Sequence, residues 1–251
     1  MTDRTVLDIY RQEFTRDGAR PFVTWYGEAG ARVELSVATL ERWIAKTANF
    51  LQDGLAAQPG DVAVVALPGH WLTPAIWWAC WHNGLLVEPL AAEAELPVDA
   101  DILFVPAWRA GEAAALARDV IAVSTEPLGG RIRGELAGGV ADFGADVPGY
   151  DDRFTAYQPV DPAALALRSE GRDLSAGQLA AAATGFEQGA RILTALPWHT
   201  PPGLLAVVGA LAAGGSIVVG TTDPGVAAAE RVTGTVGITL PGIPRIDEDR
   251  A

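Results

Sequence analysis

The chain has 251 residues, 49% of them apolar and 20% charged, with a formal net charge of −13. These values exclude disorder, collagen and coiled coil as descriptions of the whole, and leave enough chain for a sizeable core. The acidic balance repels nucleic-acid backbones and anionic membranes over most of the surface, and the one cysteine, Cys80, excludes an internal disulfide or thiolate metal cluster.

Val6, Leu7, Tyr10 and Phe14 recur at three- and four-residue steps and predict an opening helix. Pro21-Phe22-Val23-Thr24-Trp25-Tyr26 predicts a strand, Gly27-Glu28-Ala29-Gly30 a hairpin turn, and residues 31–35 the return strand. Ser36 is a good N-cap for an amphipathic helix presenting Leu40, Trp43, Ile44, Phe50 and Leu51. Lys46, the only lysine, falls in that helix, far from any glycine-rich loop, and reads as a surface residue. Residues 62–67 are an all-apolar run suited to a buried parallel strand. A helix over 70–82, strands over 85–87 and 101–105, a helix over 111–118 and a strand over 120–123 follow.

Trp71, Trp77, Trp78 and Trp81 share one arc of the 70–82 helix. That arc reads as core against a sheet, with an aromatic partner surface as the alternative. Cys80, on the opposite side, reads as a buried, inert thiol. From 125 to 152 the pattern weakens into Gly-, Pro- and Asp-rich loops, a natural boundary between two lobes of about 1–150 and 151–245. Asp142, Asp146, Asp151 and Asp152 there lack calcium-loop spacing, and no metal site is expected.

Alternation then resumes, with strands over 163–167, 191–196, 216–219 and 235–239 and helices over 175–188, 203–213 and 224–231. This pattern predicts an α/β fold, two-lobed, with mainly parallel sheets flanked by helices. Residues 192–222 carry no formal charge, but Pro201-Pro202 and Gly214-Gly215 break the run, so a membrane span is not expected. Met1-Thr2-Asp3-Arg4 leads into no apolar signal core, which with the lone cysteine points to a cytoplasmic protein.

Two stretches resemble the N-terminal domain of the adenylate-forming superfamily, which includes acyl-CoA synthetases. The first holds Ala38-Thr39-Leu40, the turn Gln58-Pro59-Gly60-Asp61 before Val62-Ala63-Val64, and Trp81-His82-Asn83-Gly84-Leu85-Leu86-Val87-Glu88-Pro89-Leu90. The second runs from Asp161-Pro162-Ala163 through Leu196-Pro197-Trp198-His199 and Gly214-Gly215-Ser216 to Glu230-Arg231-Val232-Thr233. The resemblance implies one AMP-binding-enzyme-like domain over 1–251.

It also marks a departure. The family's phosphate loop, T-S-G-[ST]-T-G-x-P-K-G, cradles ATP with backbone N–H groups and a lysine. Here Arg168-Ser169-Glu170-Gly171-Arg172-Asp173-Leu174-Ser175 stands in its place. Ser169 and Gly171 are its remnants, Glu170 and Asp173 oppose phosphate, and Arg168 and Arg172 partly offset them. The chain ends at Ala251, before the positions where relatives carry their adenylate-binding motif and adenylation lysine. The expectation is a degenerate, non-catalytic relative acting through ligand or partner binding. The alternative is a nucleotide- or acyl-adenylate-binding fragment of a ligase completed by a separate C-terminal partner.

No catalytic residue and no cofactor is assigned, beyond weak AMP or acyl-adenylate binding. His199 either lines an acyl pocket, as the resemblance implies, or bonds loop backbone. Arg168, Ser169, His199 and Thr200 are expected to converge where parallel strands end, forming a site for a small carboxylate or monophosphate.

Overall fold

A computed structural model describes residues 4–98 and 100–246. Its first helix, α1 (Val6–Asp17), starts from a capping box in which Thr5 and Asp8 bond each other's backbone N–H. Strands β1 (Pro21–Tyr26) and β2 (Arg32–Ser36) form the expected hairpin, turning where Ala29 and Gly30 adopt positive φ. Ser36 caps α2 (Val37–Asn49), whose last turn widens into a π-helical turn at Phe50–Gly54.

Strand β3 (Val62–Val65), α3 (Leu72–His82) and β4 (Leu86–Pro89) follow as the pattern predicts. Next come β5 (Ala100–Pro106), α4 (Ala110–Ala113), β6 (Ala117–Val123), β7 (Val140–Asp142) and α5 (Phe143–Asp146). The helix expected over 111–118 is thus mostly absent. Residues 117–118 already pair in parallel with β5, and that tertiary pairing overrides the helix propensity of an alanine-rich run.

Strands β8 (Leu165–Ser169) and β9 (Arg172–Ser175) form a hairpin before α6 (Ala176–Ala182). The helix expected over 175–188 ends at Ala182, and Gly185 and Gly189 take positive φ beyond it. Then β10 (Arg191–Thr194), α7 (Pro201–Ala212), β11 (Ser216–Val219), α8 (Pro224–Ala229) and β12 (Gly234–Val236) complete the described chain.

These strands form two sheets, of order β12-β10-β11-β1-β2 and β7-β6-β5-β3-β4-β8-β9. Every pairing is parallel except β1–β2 and β8–β9, so the expected α/β class holds. The division at about residue 150 is not followed. Strands β1 and β2 join β10–β12, and β8 and β9 join β3–β7, so each sheet draws on both halves of the chain.

Helices α1, α2, α3 and α7 lie between the sheets in one continuous core with Phe22 and Ile217 of one sheet and Val65 and Phe104 of the other. Helix α3 is buried on every side, so its tryptophans, Trp71 just before it included, are core and the partner-surface alternative falls away. Burial also drives the Cys80 thiol far up, leaving it inert. Lys46 is half-buried rather than free. Its Nζ donates to the carbonyls of Pro148 and Tyr150, pinning that loop to α2. Among the described residues no helix is long and apolar enough to cross a membrane.

Candidate functional site

Residues of three strand-to-helix connections come together: β3 to α3, β10 to α7 and β11 to α8. They enclose a cleft of about 380 Å³ lined by Gly69, Thr194, Leu196, Trp198, Gly220 and Thr221, among others. It lies at the C-terminal ends of parallel strands, where open α/β sheets take ligands. None of the described residues lining it is charged. Three threonine hydroxyls supply the polar side chains and Trp198 the large apolar wall.

The walls are rigid for identifiable reasons. Trp198 is buried with its ring 5.7 Å from that of Trp77 in α3. Trp25 Nε1 donates to the Gly69 carbonyl at 2.9 Å, tying β1 to the β3–α3 turn. A Cβ on Gly69 would sit 3.8 Å from the Trp198 ring, at ordinary van der Waals contact, so this turn lies directly against that wall. Behind it, His70 packs against Trp25 at 4.7 Å and Trp71 at 5.3 Å. His70 Nδ1 accepts from the Leu72 N–H, so Nε2 carries the proton and donates to the Glu126 carbonyl at 3.2 Å. Burial pushes its pKa down to about 4, so the ring is a neutral strut.

The stretch in place of the phosphate loop is a tight hairpin. Ser169 pairs with Arg172, and only Glu170 and Gly171 form the turn, both with positive φ (50° and 75°). This is the geometry of a two-residue type I′ connection. Strand alternation sends Arg168 and Ser169 to opposite faces of the sheet. Arg168 grips both Asp173 oxygens at 3.0 and 3.1 Å and Glu88 at 3.0 Å, so its charge is already met. The same hydrogen bonds hold the Asp173 carboxyl below its usual pKa.

Of the six residues anticipated, Ser169 and His199 come together: Ser169 Oγ donates to the His199 carbonyl at 3.2 Å. The His199 ring makes no hydrogen bond or ring contact among the described residues. Thr200 is the N-cap of α7, accepting from Gly203 N–H and donating to the Pro197 carbonyl at 2.7 Å. Gly171 serves the turn, and Arg172 is exposed at the sheet edge. The expectation that Arg168 charges a common site is therefore corrected, because two carboxylates hold it on the outer sheet face. Sequence reading missed Gly69, Trp25, His70, Thr194 and Thr221. The signal available was positional, since Gly69 and Gly220-Thr221-Thr222 follow the apolar runs that become β3 and β11.

No protein-family model matches the chain. Among solved structures, it is similar to a Brucella canis acyl-CoA synthetase (TM-score 0.76, 16% identity, covering 94% of this chain and 48% of that one). Apo MatB from Rhodopseudomonas palustris gives a TM-score of 0.74 at 19% identity, over 94% and 49% of the two chains. The N-terminal domain of FACL13 from Mycobacterium tuberculosis gives 0.71 at 14% identity, over 93% and 62%. The architecture is thus that of the N-terminal domain of acyl-CoA synthetases and other adenylate-forming enzymes, and the chain spans 48% to 62% of these three relatives.

At the level of sequence, a Mycobacterium tuberculosis protein described as a TIGR03089 family protein is 36% identical over 239 residues, 89% of this chain and 93% of that one. The chain belongs to the TIGR03089 family.

Proposed function

We propose that this protein is a non-catalytic user of the adenylate-forming fold, acting by binding rather than by activating acids. The observation that carries this reading is the β8–β9 turn. A triphosphate cradle needs a loop whose backbone N–H groups are free to face the ligand. Here that segment is two residues long, its flanks are paired in the ladder, and Glu170 sits at its tip. Preorganised charge stabilisation of this kind is often the largest catalytic contribution, so its loss removes most of the acceleration.

The cleft beside Trp198 remains as a site for a small molecule. Its uncharged lining favours an acyl or other neutral group over the carboxylate or monophosphate expected from sequence. Weak binding of AMP or an acyl-adenylate through its neutral parts is compatible with this reading. A second reading is a ligase fragment completed by a separate chain, and it is favoured by the extent of the structural match, 48% and 49% of two full ligases.

Calorimetric titration with ATP–Mg²⁺ tests the proposal. Binding weaker than millimolar is expected, whereas a micromolar dissociation constant overturns it.

A further inference from the structure

We propose that the outer face of the seven-stranded sheet, over β4 and β8, is a docking groove for a basic amphipathic helix of a partner protein. Parallel strands are normally covered on both faces. On this face β3, β5 and β6 are covered, where Val64, Leu103, Val105 and Val120 pack with Leu96 and with Ala113 of α4. The cover does not extend over β4 and β8. Leu165 is 42% exposed and Val98, at the rim of the cover, is 68% exposed.

Two cavities of about 610 and 540 Å³ lie on this face, one on either side of Arg168, which lines both. Apolar side chains reach the surface on either side of Arg168, Val62 and Leu165 at one end and Leu90 and Val98 at the other, above the buried Leu86 and Val64. The adjacent strands β4, β8 and β9 span about 10 Å, close to the diameter of one helix with its side chains.

Charge selects the kind of helix. Glu88, Glu95, Asp161, Glu170 and Asp173 border the groove against the single guanidinium of Arg168. Arg168 is held by Glu88 and Asp173, while Glu95 and Glu170 are exposed and make no ion pair among the described residues. A helix with leucine-like residues on one face and lysine or arginine flanking them meets both the floor and the rim. Nucleic acid and anionic membranes are repelled by the same carboxylates. The groove runs over the sheet face and shares none of its lining residues with the Trp198 cleft, so the inference stands apart from the ATP question.

The test uses the whole chain and three labelled synthetic helices: leucine–lysine, leucine–glutamate of the same pattern, and lysine–alanine. Fluorescence anisotropy and hydrogen exchange report affinity and location. The leucine–lysine helix is expected to bind and to protect amides of β4, β8 and residues 95–98, while the other two bind at least about tenfold more weakly. Leu165→Gln and Glu95→Lys should each weaken binding by about tenfold. Glu135→Lys, the same charge change in an exposed loop, should leave it unaltered. Equal binding by the lysine–alanine helix, equal loss in Glu135→Lys, protection elsewhere, or no binding overturns the proposal. So does sedimentation showing a dimer that Leu165→Gln dissociates, since the groove then belongs to a second copy of this chain.

Discussion

His70 shows how little of a side chain's role is written beside it. Sequence reading fixed on His199 because it follows Pro197-Trp198 at a strand end. The structure instead makes His70 the ring behind the cleft, and its partner carbonyl, Glu126, is 56 residues away. No local spacing signals such a contact. Titration at this scale has a defined sign. His70 and His82 are buried, and burial pushes both from 6.5 down to about 4. Between those values the unfolded chain binds protons that the folded one refuses. Stability from these rings is therefore complete above about pH 6.5 and lost as pH falls towards 4, roughly 3 kcal/mol each. Glu41 works in the opposite direction. Its Oε2 is buried without a partner among the described residues, and burial lifts its pKa from 4.5 to about 7. The folded state holds that proton, so stability declines as pH rises from 4.5 through 7. The expected profile peaks between about pH 6 and 7. Glu41→Gln should remove the alkaline decline, adding about 1–3 kcal/mol at pH 8 and little at pH 4.5 in urea denaturation. An unchanged alkaline limb in that variant contradicts this account.

Elements were legible where local pattern and tertiary pairing agree. Helices α1 and α2 and strands β1 to β5 follow from apolar periodicity and from Thr5 and Ser36 as caps. Misreadings arose where distant partners decide. Residues 117–118 have an alanine-rich, helix-prone context, yet β5 recruits them into a strand. Residues 168–175 stand in the sequence where the family has its phosphate loop, with a helix expected from Ser175, and only the ladder with β8 shows residues 172–175 as a strand. That hairpin carries strain, because Glu170 holds φ of 50° without the tolerance of glycine or asparagine. Asparagine before glycine is the preferred pair for this turn. Glu170→Asn should raise unfolding stability by about 0.5–1 kcal/mol and leave any ligand binding in the Trp198 cleft unchanged. A loss of stability in that variant argues against the type I′ turn.

For the molecule as a whole, the order of motifs was enough to place the fold: Gln58-Pro59-Gly60-Asp61 and Gly214-Gly215 lead into the central strands β3 and β11. The division into lobes was not legible. A strand's sheet is chosen by contacts across the whole chain, and β1 pairs with β11 at Val23–Ile217 across nearly two hundred residues. The candidate site was half legible for the same reason. Its level in the fold, at strand C-termini, follows from the α/β pattern, but which sheet face receives Arg168 follows from pairing with β4 and β9. The central claim is that this architecture binds without activating acids. Pyrophosphate exchange by the purified chain, with ATP–Mg²⁺ and a panel of fatty, aryl and amino acids, tests it most directly. The account predicts exchange at the level of a protein-free control with every acid. Exchange that rises with one particular acid contradicts it.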